Sequence, residues 1–165
     1  MRIIGKSEFG LTLIEILVVI GIIAVLSGIA VPNYISHRDR QKLNRGAREI
    51  YATFKSAKMN AIKDSTTIFI TFTAGAGAAG TYRVWEDENG DGAFNAGDRE
   101  VSDGQMNPGI ALQNISFSGD STAVFNSMGL PRMPTGALDF GSLEVTNGTE
   151  TRTVTLNNAG SVRID

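Results

Sequence analysis

Two groups of residues in this 165-residue chain have the types and spacing to do chemistry. The first is a single carboxyl, Glu15, inside the apolar run LTLIEILVVIGIIAVLSGIAV at residues 11–31. An acid in such a helix costs about 2.5–3.5 kcal/mol near a bilayer centre and less toward an end. Either it has a partner, or it lies near the interface and reaches water. No partner stands at recognisable spacing in its own chain. The second group is the stretch 87–98, DENGDGAFNAGD. Asp87, Asn89 and Asp91 fall at positions 1, 3 and 5 of a twelve-residue calcium loop, with Gly92 at 6, the Ala93 carbonyl at 7 and Asp98 at 12. Calcium takes six to eight oxygens, and clustered carboxylates repel unless a cation sits among them. Asp98 is shorter than the usual glutamate, and no helix is expected before the loop, so a full EF-hand is excluded. Phe94 is placed to anchor the loop inward. The alternative is a solvated acidic turn between strands.

Other chemistries are excluded or unsupported. There is no cysteine, hence no disulfide, no thiol nucleophile and no Cys-ligated zinc. The single histidine, His37, has no catalytic partner at recognisable spacing, and phosphate-loop and Rossmann fingerprints are absent. No enzyme is expected.

The elements that must carry these groups follow from charge and periodicity. The net charge of −2 is a cancellation. Residues 38–63 hold eight basic residues against two acids, and residues 86–103 hold seven acids against one arginine. Residues 16–36 hold no charge at all. As a helix, the 21 apolar residues at 11–31 span roughly 32 Å, enough to cross a bilayer core. A cleaved signal peptide, with Arg2 and Lys6 as its basic region and a cut after Ala30, is the competing reading, although the run exceeds the usual length of about 7–15 residues. Gly21 and Gly28 share a face that permits close helix approach. Pro32 removes a backbone hydrogen bond and predicts a kink near Ser27–Gly28.

Beyond it, Leu43, Ala47, Ile50, Phe54, Ala57 and Ala61 recur at intervals of three and four, one face of a helix. The basic residues mostly fall on other faces; the stripe reads as a solvated surface, with attraction to nucleic acid or anionic lipid as the alternative. Asp64-Ser65 and the β-branched run after it end the helix. Strands are expected at 68–72, 81–85, 110–117, 122–126, 138–146, 151–157 and 160–164. Residues 74–80 (AGAGAAG) form a hairpin loop, and a turn at 157–160 closes a C-terminal hairpin. The expected fold class is α+β: a long N-terminal helix packed on an antiparallel sheet or sandwich.

The run Lys6-Ser7-Glu8-Phe9-Gly10 followed by Leu11-Thr12-Leu13-Ile14-Glu15, with Pro32-Asn33-Tyr34 further on, resembles the type IV prepilin family. The resemblance implies cleavage by prepilin peptidase between Gly10 and Leu11 and N-methylation of Leu11, where the family usually has Phe. It also implies that Glu15 pairs with the α-amino group of a neighbouring subunit during assembly. The chain then divides into a leader at 1–10, a transmembrane helix at 11–32, an amphipathic continuation at 33–64 and a β-rich extracytoplasmic domain at 65–165. The Trp/Val strand running into Asp-x-Asn-Gly-Asp-Gly, and the late Gly-x-Val-Arg, are similar to H-type pseudopilins of type II secretion systems and to FimT-like minor pilins.

The implied function is a minor pseudopilin in the bacterial inner membrane, its C-terminal domain in the periplasm and its partners other pilin-like subunits. The alternatives are a FimT-like minor pilin for pilus assembly or DNA uptake, and a secreted calcium-binding β protein. DNA-binding members carry Gly-Arg-x-Arg in the tail. Here the tail reads Gly160-Ser161-Val162-Arg163, which argues against nucleic acid. Two basic residues precede the span and five follow closely, so charge alone would keep the C-terminal domain in the cytoplasm. The resemblance implies the opposite orientation.

Overall fold

A computed structural model of the chain describes residues 12–75, 79–133 and 135–165. The first element is a single helix, α1 (Leu13–Asp64), whose helical residues continue through Pro32. Contacts divide the chain between Arg38 and Asp39 into two units, so each is described by itself.

In the first unit the uncharged sequence leaves no amphipathic pattern. Every large apolar side chain from Leu13 to Val31 is between 45% and 77% exposed. The helix is long and apolar enough to cross a membrane. The Asn33 side-chain amide donates to the Ile29 carbonyl at 3.3 Å.

The second unit is built on the amphipathic part of α1. All six residues of the three-four pattern, Leu43 to Ala61, are buried. The helix ends where Ser65 turns left-handed (φ 55°) and the Thr66 N–H reaches back to the Ala61 carbonyl at 3.1 Å. That six-to-one bond closes a Schellman-type end. Eight strands follow: β1 (Ile68–Thr73), β2 (Thr81–Glu86), β3 (Arg99–Gln105), β4 (Ala111–Phe117), β5 (Thr122–Phe125), β6 (Gly141–Thr146), β7 (Thr151–Leu156) and β8 (Val162–Ile164). They form two four-stranded sheets of order β3-β2-β1-β5 and β4-β6-β7-β8, with every pairing antiparallel.

Ile68, Ile70 and Phe72 alternate inward from β1, while Leu143, Val145, Val154 and Leu156 do so from the second sheet. Phe54 binds the helix to both sheets. Its ring centroid lies 5.5 Å from that of Phe72, 5.6 Å from Phe117 and 6.3 Å from Phe125. Gly46 lets the helix approach closely: a β-carbon there would sit 3.1 Å from Ile110 Cγ2 and 3.2 Å from Val145 Cγ1.

The expected α+β architecture, a long helix packed on antiparallel β-structure, is the observed one, with two sheets. The 151–156 and 162–164 strands form the expected hairpin, closed by Asn157 N–H to the Ser161 carbonyl at 3.0 Å. Strand β3 was not expected. It is an edge strand of mostly charged and polar residues, mostly exposed, whose single large apolar side chain, Val101, gives no apolar alternation. A second, smaller cluster was also unexpected. Phe69, Trp85 and Val124 are buried on the opposite face of the first sheet, Phe69 stacked on Trp85 with centroids 4.5 Å apart. The Trp85 Nε1–H donates to Thr71 Oγ1 at 3.1 Å.

Candidate functional site

The processing pair, Gly10 and Leu11, lies outside the described residues. Glu15 is described, and it has partners in its own chain, contrary to the sequence reading. Thr12 caps the helix: its hydroxyl accepts the Glu15 N–H at 3.2 Å. The Thr12 N–H and hydroxyl each return a bond of 3.2 Å to Glu15 Oε2. This is a capping box, in which a Thr and a Glu three residues later satisfy each other's free backbone donors. The Thr-x-x-Glu spacing was the signal for it. Two consequences follow. The carboxylate sits at the positive end of the helix dipole, where negative charge is favoured. Among the described residues Oε1 accepts no hydrogen bond.

The acidic loop closes on itself. Asp87 accepts the Gly90 N–H at 2.6 Å and the Gly92 N–H at 2.9 Å. Asp91 accepts the Ala93 N–H at 2.8 Å and the Asn95 amide at 2.6 Å. Asp98 accepts the Asn95 N–H at 2.7 Å and, more weakly, the Glu88 N–H at 3.3 Å. The Asn89 side-chain Oδ1 accepts the Asp91 N–H at 2.9 Å, and the Ala93 backbone carbonyl accepts the Asn95 side-chain amide at 3.1 Å. Gly90 and Gly92, with φ near +75°, supply the left-handed turns that this path requires. Phe94 turns back over the sheet as expected. Its ring lies edge-on to Trp85 at 5.7 Å, and the Arg83 guanidinium sits 4.3 Å over it. Among the described residues no three His, Cys, Asp or Glu side chains gather closely enough to hold a metal ion.

Two further groups bear on the site. In the tail, Arg163 pairs with Asp165 at 2.5 Å, and the Gly160 carbonyl accepts Lys58 Nζ at 3.1 Å. Asp139, which no sequence signal singled out, is fully buried. Its Oδ2 accepts the Val124 N–H at 2.5 Å and so occupies the open edge of β5. Its Oδ1 has no hydrogen-bond partner among the described residues. Burial pushes this carboxyl above its usual range, against the pull of the Val124 N–H.

A helix with an apolar, exposed N-terminal part and a C-terminal part buried against antiparallel sheets defines a pilin-like subunit. The solved structure of the type IV minor pilin FimU of Pseudomonas aeruginosa shares this fold. It matches with a TM-score of 0.53 and 14% identity, over 76% of this chain and 90% of that one. "Pilin-like protein PilA1" of Thermus thermophilus is 30% identical over 161 residues, 94% of this chain and 97% of that protein. A "Fimbrial protein" of Pseudomonas aeruginosa is 35% identical over 68 residues, 41% of this chain and 44% of that protein. The model of the Type II transport protein GspH family matches residues 46–160, and that of the prokaryotic N-terminal methylation motif matches residues 5–31. The chain therefore belongs to the GspH family, a family of structural pilin and pseudopilin subunits. It is a minor pilin- or pseudopilin-like protein.

Proposed function

We propose that this chain is a minor pseudopilin of a type II secretion system. Prepilin peptidase cuts between Gly10 and Leu11, and Leu11 becomes the methylated N-terminus. The apolar half of α1 holds the subunit in the bacterial inner membrane with residues 39–165 in the periplasm. From there it enters a short filament that helps to export proteins. The observation that carries this reading is the GspH family match over residues 46–160. The methylation motif at residues 5–31 supports the processing step. Within the filament, the Glu15 carboxylate takes the α-amine of a neighbouring subunit. A second reading, a minor subunit of a type IV pilus, is favoured by the fold likeness to FimU and by the pilin-like relative from Thermus thermophilus.

The substitution Glu15→Ala in the native host tests both readings. Processing and the melting of the β domain should be unchanged. Cross-linking into filaments should be lost, and protein secretion should fall while surface pili persist. Loss of pili with normal secretion would favour the second reading. Normal incorporation would refute the assembly role of Glu15.

Calcium binding by Asp87, Asn89, Asp91, the Ala93 carbonyl and Asp98 is a separate proposal. It is supported by the ligand spacing, and by the lone pairs each carboxylate keeps after its oxygens have accepted N–H groups.

A further inference from the structure

The face of α1 opposite the buried stripe has a composition of its own. Arg45, Arg48, Ala52, Lys55, Met59 and Ile62 are spaced three, four, three, four and three apart, which places them on one face, and all six are exposed. From first to last they run about 25 Å along the helix. The N-terminal part of this face is basic. Among the described residues no ion pair involves Arg45, Arg48 or Lys55, and Lys55 Nζ lies over the neutral ring of Tyr51, 5.5 Å from its centroid. Residues 40–64 hold two acids, Glu49 and Asp64, and both are engaged elsewhere. Glu49 accepts the Tyr82 hydroxyl at 3.2 Å, and Asp64 accepts an Arg99 N–H at 3.3 Å. The face therefore keeps its three charges.

The C-terminal part of the same face is apolar. Met59 is 69% exposed and Ile62 48%. Gly129 lies against the Ile62 side chain, since a β-carbon there would come within 2.6 Å of Ile62 Cδ1. Met128, next to it in the chain, is 68% exposed. Singly, exposed apolar residues are ordinary. In line with three unpaired cations they make a surface with two requirements. A polyanion in solution meets one of them: it would neutralise the arginines and leave Met59 and Ile62 in water. The boundary of a lipid layer, where phosphate headgroups meet acyl chains, meets both.

We propose that this face lies on an anionic lipid surface while the subunit stands in the membrane outside a filament. The proposal deepens the membrane-held reading and rests on it. The Arg45 and Arg48 guanidiniums take paired phosphate oxygens of the headgroups. Lys55 reaches the same layer along its aliphatic stem, and Met59, Ile62 and Met128 enter the boundary beneath it. Arg45 follows Val31 by 14 residues, so even a fully extended connection keeps it within about 50 Å of the apolar segment. A tether that short holds the face at high effective concentration beside the bilayer, and contacts too weak to bind a free protein then suffice. Each Lys or Arg adds to the attraction, which falls off within a screening length of the surface. The contact leaves the 87–98 loop to its own ligand and needs no second copy of this chain.

The absence of cysteine lets one label be placed at a time. Ala52, in the middle of the face, and Ala96, in the acidic loop, are both exposed. Full-length Ala52→Cys and Ala96→Cys chains carry a fluorophore and are reconstituted at low protein-to-lipid ratio. The vesicles are phosphatidylcholine alone or an equimolar mixture with phosphatidylglycerol, each with a nitroxide-headgroup lipid as quencher. Flotation with the vesicles shows whether the chain is held in the membrane, whatever its lipid charge. The expected result is flotation in both, with the Ala52 label quenched several-fold more in the anionic vesicles and the Ala96 label quenched alike in the two. The excess should vanish at 1 M salt, where the screening length is about 3 Å. It should vanish as well when Arg45→Glu, Arg48→Glu and Lys55→Glu are combined, and weaken when Met59→Ser and Ile62→Ser are combined. The salt arm needs no charge variant and so does not depend on the folding of the triple mutant. Equal quenching of the Ala52 label in the two vesicle types would overturn the proposal, as would quenching that the Met59→Ser, Ile62→Ser chain retains in full. Release of the Ala52 label from anionic vesicles by duplex DNA at equal phosphate concentration would assign the face to nucleic acid. Burial of the label only at high protein-to-lipid ratio would assign it to a neighbouring subunit. Either result overturns the lipid contact. Chains that float with the Ala52 label unquenched remove only that contact, and chains that do not float remove the membrane-held reading together with it.

Discussion

The two parts of α1 share one secondary structure and have opposite surroundings. From Leu13 to Val31 the large apolar side chains are all exposed, whereas from Leu43 to Ala61 the apolar stripe is buried against two sheets. The difference lies in where the charges stand. Residues 16–36 carry none, so no face of that segment prefers water and none is selected for a core. Residues 39–64 carry charge on every face but one, and the remaining stripe has a single way to leave water. A lipid bilayer or a bundle of neighbouring helices would supply the first segment with what the sheets supply to the second. One part of the helix is thus complete within its own chain, and the other is completed by its surroundings.

Paired truncations should expose this contrast most strongly. Phe54→Ala removes the ring that touches Phe72, Phe117 and Phe125. It should lower the stability of the β domain by about 3–5 kcal/mol, seen as a large drop in melting temperature. Ile20→Ala, in the exposed segment, should leave the same melting curve in place. Equal shifts from the two variants would break the comparison.

Calcium offers the next largest effect and should act on the second unit alone. If the loop takes the ion, a hundredfold excess over the dissociation constant adds about 2.7 kcal/mol to folding. The melting temperature should then rise, return with EDTA, and stop responding in Asp91→Ala. Magnesium should do less, because it gives up its water reluctantly. A curve that calcium does not move would reduce the loop to a self-closed acidic turn.

The smallest effect belongs to Asp139. Burial raises its folded-state pKa above the usual carboxyl value, so the native state holds this proton more tightly than the unfolded chain. Its contribution to stability is therefore full below the unfolded pKa and is lost as pH rises through the raised native value. Asp139→Asn keeps an oxygen for the Val124 N–H and removes the titration. Unfolding measured from acid to neutral pH should show a shallower decline in the variant. Parallel curves would mean that the buried carboxyl costs the fold nothing on ionising.

Legibility in the sequence followed the same divide between repetition and singularity. The stripe Leu43 to Ala61 was readable because six residues repeat one interval, and the C-terminal hairpin because β7 alternates before an Asn-Asn-Ala-Gly turn. Strand β3 was not, because an edge strand needs no apolar alternation and its pairing with β2 is carried by the backbone. The capping box at Thr12 and Glu15 was legible in principle. The same Thr-x-x-Glu spacing lies inside an apolar run, where a carboxylate also fits a partner from outside the chain. The Phe69–Trp85–Val124 cluster lies on the sheet face away from the helix, and Phe94 was the one clue that the loop folds back over it. Asp139 gave no signal, since its burial depends on chain segments brought together only by the fold.

The account's central claim is that the exposed half of α1 belongs to a processed, membrane-held filament subunit, and its most direct test is the mass of the mature N-terminus. The protein purified from its host membrane should begin at Leu11, ten residues shorter than the sequence and carrying one added methyl group. A mature chain that begins at Val31, without the apolar half and Glu15, or one that still begins at Met1, would contradict it.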